Sequence, residues 1–266
     1  MEQETMLVID QMQREVTVPL KDLRIISLVP SQTELLYELG LDKEVIGITK
    51  FCVHPVSWFR TKTRVGGTKQ LHLEQIRGMR PNLIIANKEE NEREQVEALA
   101  EEFPVWISDI HNFTEAYAMI RDIGAITGRP NEARELIGAI KTGFQNMEKL
   151  SRPLSVAYFI WRNPWMVAGN DTFIHQVLTG AGFENAFNLS GRYPEVTAQQ
   201  LQEIQPDLVF LSSEPFPFRE KHIAEIQSII PGSKILLVDG EMFSWYGSRL
   251  KEVPGYLGGL INKIKS

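Results

Sequence analysis

The sequence predicts an α/β fold, read as two α/β lobes with a helical segment between them. Three observations carry this. Short β-rich apolar runs alternate with helical patterns before residue 125 and again after residue 153, the signature of parallel sheets. Between the two sets, Ala133, Leu136, Ile137, Ile140, Phe144 and Met147 recur every three or four residues, as one face of a helix does. And Ile76–Ile85 is echoed by Leu201–Phe210, each a short helix broken by proline, Pro81 or Pro206, ahead of an apolar strand.

In order, Arg24–Val29 is a strand. Ser31 and Glu34 then form a capping box for a helix with Leu35, Leu36 and Leu39 on its apolar side, ended by Gly40. Val45–Thr49 is a strand, Glu74–Arg80 a helix, Leu83–Ala86 a strand, Glu90–Glu102 a helix and Val105–Ser108 a strand. A helix over 131–150 follows, capped by Asn131 and stopped by Pro153. By pattern alone it is either one more sheet-covering helix or a rigid rod joining two lobes. The second set comprises strands Leu154–Ile160 and Trp165–Ala168, helices Thr172–Thr179 and Thr197–Gln205, strand Leu208–Ser212, helix Ile223–Ile229 and strand Ile235–Asp239. A last helix lies near Leu250–Lys263, or begins at Pro254. The expected domains are an N-terminal extension over 1–21, a lobe over 22–125, a connecting helix over 126–152 and a lobe over 153–266.

Composition narrows the function. The chain has 266 residues with 28 Lys+Arg against 34 Asp+Glu, a net charge of −6, which argues against a basic nucleic-acid footprint. No apolar run is long enough for a transmembrane helix. The first 20 residues show no basic start and no apolar core, so the chain reads either as cytoplasmic or as written without its leader. The single cysteine, Cys52, excludes an internal disulfide. Cys52-Val-His54 offers two donors at i and i+2, too few by themselves for a metal site, and no metal is expected. Hydrolase, zinc-protease, redox and dinucleotide motifs are all missing, so no catalytic residue is assigned and no enzyme is expected.

Aromatic residues cluster just after strands, where the carboxyl ends of parallel strands line ligand crevices. Phe51 follows one strand. Trp161, Arg162 and Trp165 bracket a turn, and Phe243, Trp245 and Arg249 follow another strand. Rigid aromatics interleaved with arginines suit a large, partly apolar ligand with polar or anionic edges.

These residues reach a known pattern. Arg24-Ile-Ile-Ser-Leu-Val-Pro-Ser-Gln-Thr-Glu-Leu-Leu, Gly40-Leu and Val45-Ile-Gly-Ile-Thr resemble the opening of the helical-backbone metal-receptor family, the substrate-binding proteins of ABC importers for vitamin B12, ferric siderophores and haem. Leu73-Glu-Gln-Ile, Asn170-Asp-Thr-Phe-Ile-His-Gln-Val-Leu and Pro194-Glu-Val-Thr continue the match, which is nearest the vitamin B12-binding branch. The resemblance implies two lobes on one long rigid helix, class III periplasmic-binding-protein-like, with ligand in the cleft between them. It implies no catalysis and no required cofactor, the metal-containing ligand (cobalamin, ferric siderophore or haem) being the transported solute. It also implies a monomer outside the cytoplasm with an ABC permease as partner and no membrane insertion. Expected ligand contacts are Phe51, Asn87, Trp161, Arg162, Trp165, Phe243, Trp245 and Arg249. The branch carries aromatics at positions matching Phe51, Thr68, Asn87 and Met242, of which only Phe51 is aromatic here. The family docks one carboxylate per lobe onto permease arginines, at positions matching Glu74 and Gln199. The second is neutral, with Glu195 or Glu203 as stand-ins. The alternative is a cytoplasmic binding protein, sensor or enzyme on the same fold, uncoupled from any permease.

Overall fold

A computed structural model describes residues 4–265. The chain opens with a hairpin, β1 (Thr5–Ile9) and β2 (Glu15–Pro19), paired antiparallel. It continues β3 (Ile25–Ser27), α1 (Pro30–Glu38), β4 (Val45–Ile48), α2 (Val56–Thr61), β5 (Thr63–Arg64), α3 (Leu73–Met79), β6 (Leu83–Asn87), α4 (Arg93–Ala100), β7 (Val105–Ser108) and α5 (Phe113–Ile126). Helix α6 covers Pro130–Asn146. Then come β8 (Ser155–Trp161), β9 (Met166–Val167), α7 (Phe173–Gly180), β10 (Glu184–Asn185), α8 (Ala198–Ile204), β11 (Leu208–Ser212), α9 (Glu220–Gln227), β12 (Lys234–Val238), α10 (Glu241–Ser244), a 3₁₀ turn over Ser248–Lys251 and α11 (Val253–Lys265).

The chain forms two compact units. The first holds the residues up to Ile110 with Thr114–Ala139 and Tyr246–Arg249. The second holds His111–Phe113, Ile140–Trp245 and the residues from Leu250. The chain thus changes unit within α6, whose buried stripe Ala133, Leu136 and Ile140 is the one its spacing predicts. The helix is shorter than the expected 131–150 and is preceded by a separate helix, α5. Gly128 turns left-handed between the two (φ +70°) and Pro130 starts α6, so Asn131 lies inside the helix rather than capping it.

In the first unit the parallel sheet runs β5-β4-β3-β6-β7. Its core includes Ile26, Leu28, Ile76, Ile84, Ala86 and Leu99. The hairpin protects the sheet's edge. Gln11 donates its backbone N–H to Ile107 O (3.2 Å), and Ile107 donates back to Asp10 Oδ2 (3.2 Å). Asp10 is itself buried and held by the Arg14 guanidinium at 2.7 Å, so the β7 edge is not left open to pair with another chain.

In the second unit β10-β8-β11-β12 are parallel, with β9 antiparallel on β8. Its core includes Phe159, Val209, Leu211 and Leu201. The strand order repeats that of β4-β3-β6-β7, and the sequence echo has a physical basis. Helices α3 and α8 both end on a left-handed residue, Arg80 (φ 48°) and Gln205 (φ 46°), ahead of proline. A proline disfavours the right-handed helical region for the residue before it. The next side chain then ties the start of the neighbouring strand. Asn82 Oδ1 accepts Arg24 N–H at 2.7 Å, and Asp207 Oδ2 accepts Ser155 N–H at 2.8 Å. These bonds with Ser155 hold the Asp207 carboxyl below the usual carboxylate range.

The expected capping box at Ser31 does not form. Proline at position 30 takes the first helical position and Val29 the cap, with no side-chain cap bond, while Glu34 turns to Arg249. Gly40 does end α1 in the left-handed region (φ +76°). Thr197, by contrast, builds a full capping box with Gln200 at the head of α8.

Candidate functional site

Parallel strands aim their carboxyl ends at one face of each sheet, and the following loops carry the side chains. In the first unit the loop after β4 is a turn with alternating fates. Thr49 and Cys52 point inward and are fully buried, whereas Lys50 and Phe51 point out. The Cys52 sulfur receives the Thr33 hydroxyl at 3.0 Å and lies 3.1 Å from Thr49 Oγ1. Burial pushes this thiol up. Burial and these two hydroxyls hold it as a neutral anchor of the turn. His54, half-buried, precedes Pro55 in a cis peptide. Among the described residues no group of three or more His, Cys, Asp or Glu is placed to hold a metal ion.

Phe51 is 51% exposed and Lys50 Nζ lies 5.1 Å from its ring centroid. Asn87, at the end of β6, is buried. Its amide donates to Ser108 O (3.1 Å) and Ser108 Oγ (3.0 Å), and its oxygen accepts the backbone N–H of Glu89 and Glu90. Asn91 extends the scaffold, donating to Leu28 O and Thr68 O. The functional groups of Asn87, an expected ligand contact, are engaged in shaping these loops.

Arg249, another expected contact, is also engaged within the protein. Its side chain is buried and forks onto Glu34, with Nη2–Oε1 at 2.7 Å and Nε–Oε2 at 3.0 Å. Such a fork matches the geometry of a carboxylate and consumes it.

In the second unit Trp161 ends β8 with 40% of its surface exposed, edge-on to Phe216 at 5.8 Å. Phe216 in turn stands against Phe218 and His222. His222 accepts the backbone N–H of Arg219 on Nδ1 (2.9 Å), and desolvation keeps its pKa low. Its neutral ring then carries the proton on Nε2 and offers a donor, not a metal lone pair. Arg162 is bound to Glu225 at 2.8 Å. Trp165 is half-buried and packs edge-on to Phe159 in the core. Phe243 is fully buried among Tyr158, Phe210 and Tyr256, a core residue rather than an exposed contact. Trp245 keeps 8% exposure and donates its indole N–H to Glu214 Oε1 at 3.0 Å. Of the eight expected contacts, Phe51 and Trp161 present the open aromatic faces. Sequence reasoning missed Lys50 and Glu214 as parts of these loops; Phe216 reads from the sequence as an aromatic after the strand Leu208–Ser212, outside the eight expected contacts.

The two docking candidates occupy the same place in the repeat, the second residue of α3 and of α8. Glu74 has 88% of its side chain exposed and is paired with Arg77 at 2.5 Å. Gln199 is exposed and donates to Glu203 Oε1 at 2.9 Å.

Residues 25–231 match the model of the periplasmic binding protein family. The chain belongs to that family. A vitamin B12-binding protein of Pectobacterium carotovorum subsp. carotovorum is 24% identical over 242 residues, 85% of this chain and 84% of the relative. An uncharacterized ABC transporter substrate-binding lipoprotein of Bacillus subtilis is 24% identical over 212 residues, 75% of this chain and 67% of the relative. Among solved structures, a periplasmic haem-binding protein of Vibrio cholerae superposes with a TM-score of 0.79 at 18% identity, covering 91% of this chain and 99% of that one. That superposition shows a shared fold. No described helix is long and apolar enough to cross a membrane.

Proposed function

We propose that this protein is the substrate-binding component of an ABC importer and that it binds a metal chelate, a corrinoid or a ferric chelate such as haem, without catalysis of its own. The observation that carries the reading is the pair of open aromatic faces, Phe51 and Trp161, each at the carboxyl end of a parallel sheet. Flat rings at such positions bind flat or bulky apolar ligands at low entropic cost. The names of the B12-binding and haem-binding relatives agree with that chemistry, and the lipoprotein relative agrees with an extracytoplasmic, importer-coupled role. The chelate is the cargo and needs no resident cofactor. The purified protein should change the visible spectrum of cyanocobalamin, haem or a ferric siderophore saturably, at one ligand per chain and micromolar concentration or below. Absence of binding to all three overturns the reading.

The partner in this reading is a permease gripped by acidic side chains. Glu74 is the first-lobe carboxylate, and Glu203, hydrogen-bonded to Gln199, supplies the second charge that position 199 lacks. Exposed charges at a rim act mainly on association rate and its salt dependence. Glu74→Ala should slow docking to the cognate permease several-fold at low salt and flatten the salt slope while ligand affinity stays unchanged, as read by surface-binding kinetics at two salt concentrations. An unchanged rate and slope removes Glu74 from the interface.

A further inference from the structure

The turn after β4 presents more than an aromatic ring. Lys50 and Phe51 both lie against Gly67. A Cβ built there would meet Phe51 Cε2 at 3.0 Å and Lys50 Cε at 3.1 Å, so the missing side chain is what lets the two close down. The backbone is fixed on both sides. Lys50 donates its N–H to Gly66 O at 2.8 Å, and Cys52 is locked inside by Thr33 and Thr49. The ammonium sits 5.1 Å from the ring centroid, yet Phe51 stays half exposed. The other lysines at this end of the sheet are neutralised, Lys69 by Glu92 at 3.4 Å and Lys88 by Asp109 at 2.6 Å. Lys50 has no acidic partner among the described residues. Glu90 adds a small upward push on the Cys52 thiol, behind burial, and its own carboxyl is pushed up by desolvation, against which Lys69 acts.

A preorganised cation beside an open aromatic face recognises a ligand that is flat and apolar in one part and anionic in the next. We infer that Lys50 and Phe51 form a subsite selecting a planar metal chelate with peripheral carboxylates over one with neutral amide side arms. In this subsite Phe51 stacks on the macrocycle and Lys50 pairs with a carboxylate. The inference rests on the binding-protein reading above and narrows its ligand class.

The test compares three probes by absorbance titration: iron protoporphyrin IX, its dimethyl ester in the same mixed solvent, and cyanocobalamin. The first two share ring and metal and differ only in their carboxylates. Wild-type protein should bind the free acid about tenfold tighter than the ester, the scale of one charged contact made partly out of water. Lys50→Gln should erase that difference by weakening the acid alone, and Lys50→Arg should keep it. Raising salt should weaken the acid for wild type and leave the Lys50→Gln variant nearly flat. Phe51→Ala should weaken acid and ester alike. Equal affinity for acid and ester in wild type, or a Lys50→Gln variant that keeps the preference, overturns the subsite while leaving the binding-protein reading intact. So does tighter binding of cyanocobalamin than of the free acid. Failure of all three probes overturns the subsite, and failure of the ferric siderophore as well overturns the binding-protein reading.

Discussion

Arg249→Met should destabilise the protein by about 3–5 kcal/mol, the usual cost of breaking a buried ion pair from one side. The side chains are 8% and 17% exposed; Nε donates to Glu34 Oε2 at 3.0 Å and Nη2 lies at ion-pair distance, 2.7 Å, from Oε1. Removing the guanidinium takes both Arg249 contacts away from the Glu34 carboxylate, which stays largely enclosed at 17% exposure, and the loss comes from that buried charge. The chain returns to the first unit only for Tyr246–Arg249, so this pair fastens the short segment onto α1. Gly247 supports the same contact. Its backbone is left-handed (φ +131°) and a Cβ there would come within 3.2 Å of Ser31 O. Urea unfolding at neutral pH checks the expectation. Glu34→Gln combined with Arg249→Met should recover a large part of the loss, because the double change removes the stranded charge as well as the attraction. A single-variant loss below about 1 kcal/mol would mean the pair behaves as an exposed one.

The same residues show how far the sequence could be read. The parallel strands were legible because buried strands are short apolar runs, as in Leu83–Asn87 and Leu208–Ser212, all buried. The repeat was legible because a proline after a short helix forces one local geometry, and Arg80 and Gln205 adopt it alike. Helix α5 carries its own three-and-four spacing in Ala116, Met119, Ile120 and Ile123, a signal passed over beside the longer α6. The hairpin at residues 5–19 was hidden because its strands are five residues each and only Val16 and Val18 of the second alternate cleanly into the core. The site was half legible. Position after a strand tells which end of the sheet a residue occupies, but not whether its side chain faces solvent or core. That depends on the loop. The turn at 49–52 throws Phe51 outward by burying Cys52, whereas α10, one turn long, rolls Phe243 inward. Nor can sequence show that an arginine is already spent. Glu34 lies 215 residues from Arg249, and no local pattern links them.

Phe243→Ala and Trp161→Ala should therefore have opposite consequences, although both aromatics follow strands. Phe243 is fully buried, with ring centroids of Tyr158, Phe210 and Tyr256 at 5.0, 6.0 and 6.1 Å. Truncation opens a cavity that three fixed rings cannot fill, and should cost about 3–5 kcal/mol in denaturant unfolding. Trp161 touches Phe216 with one edge and shows 40% of its surface to water. Its loss removes little packing and should change stability by less than about 1 kcal/mol. In the binding-protein reading it should nevertheless weaken the chelate at least about tenfold, since an aromatic anchor commonly carries more than about 1.4 kcal/mol of affinity. Thermal or urea unfolding and ligand titration on the same two preparations separate the cases. A Trp161→Ala variant that keeps full affinity would move the site off the Trp161–Phe216 face. A Phe243→Ala variant of wild-type stability would show that α10 can reseat itself, and that the aromatic cluster under it is not the core its geometry describes.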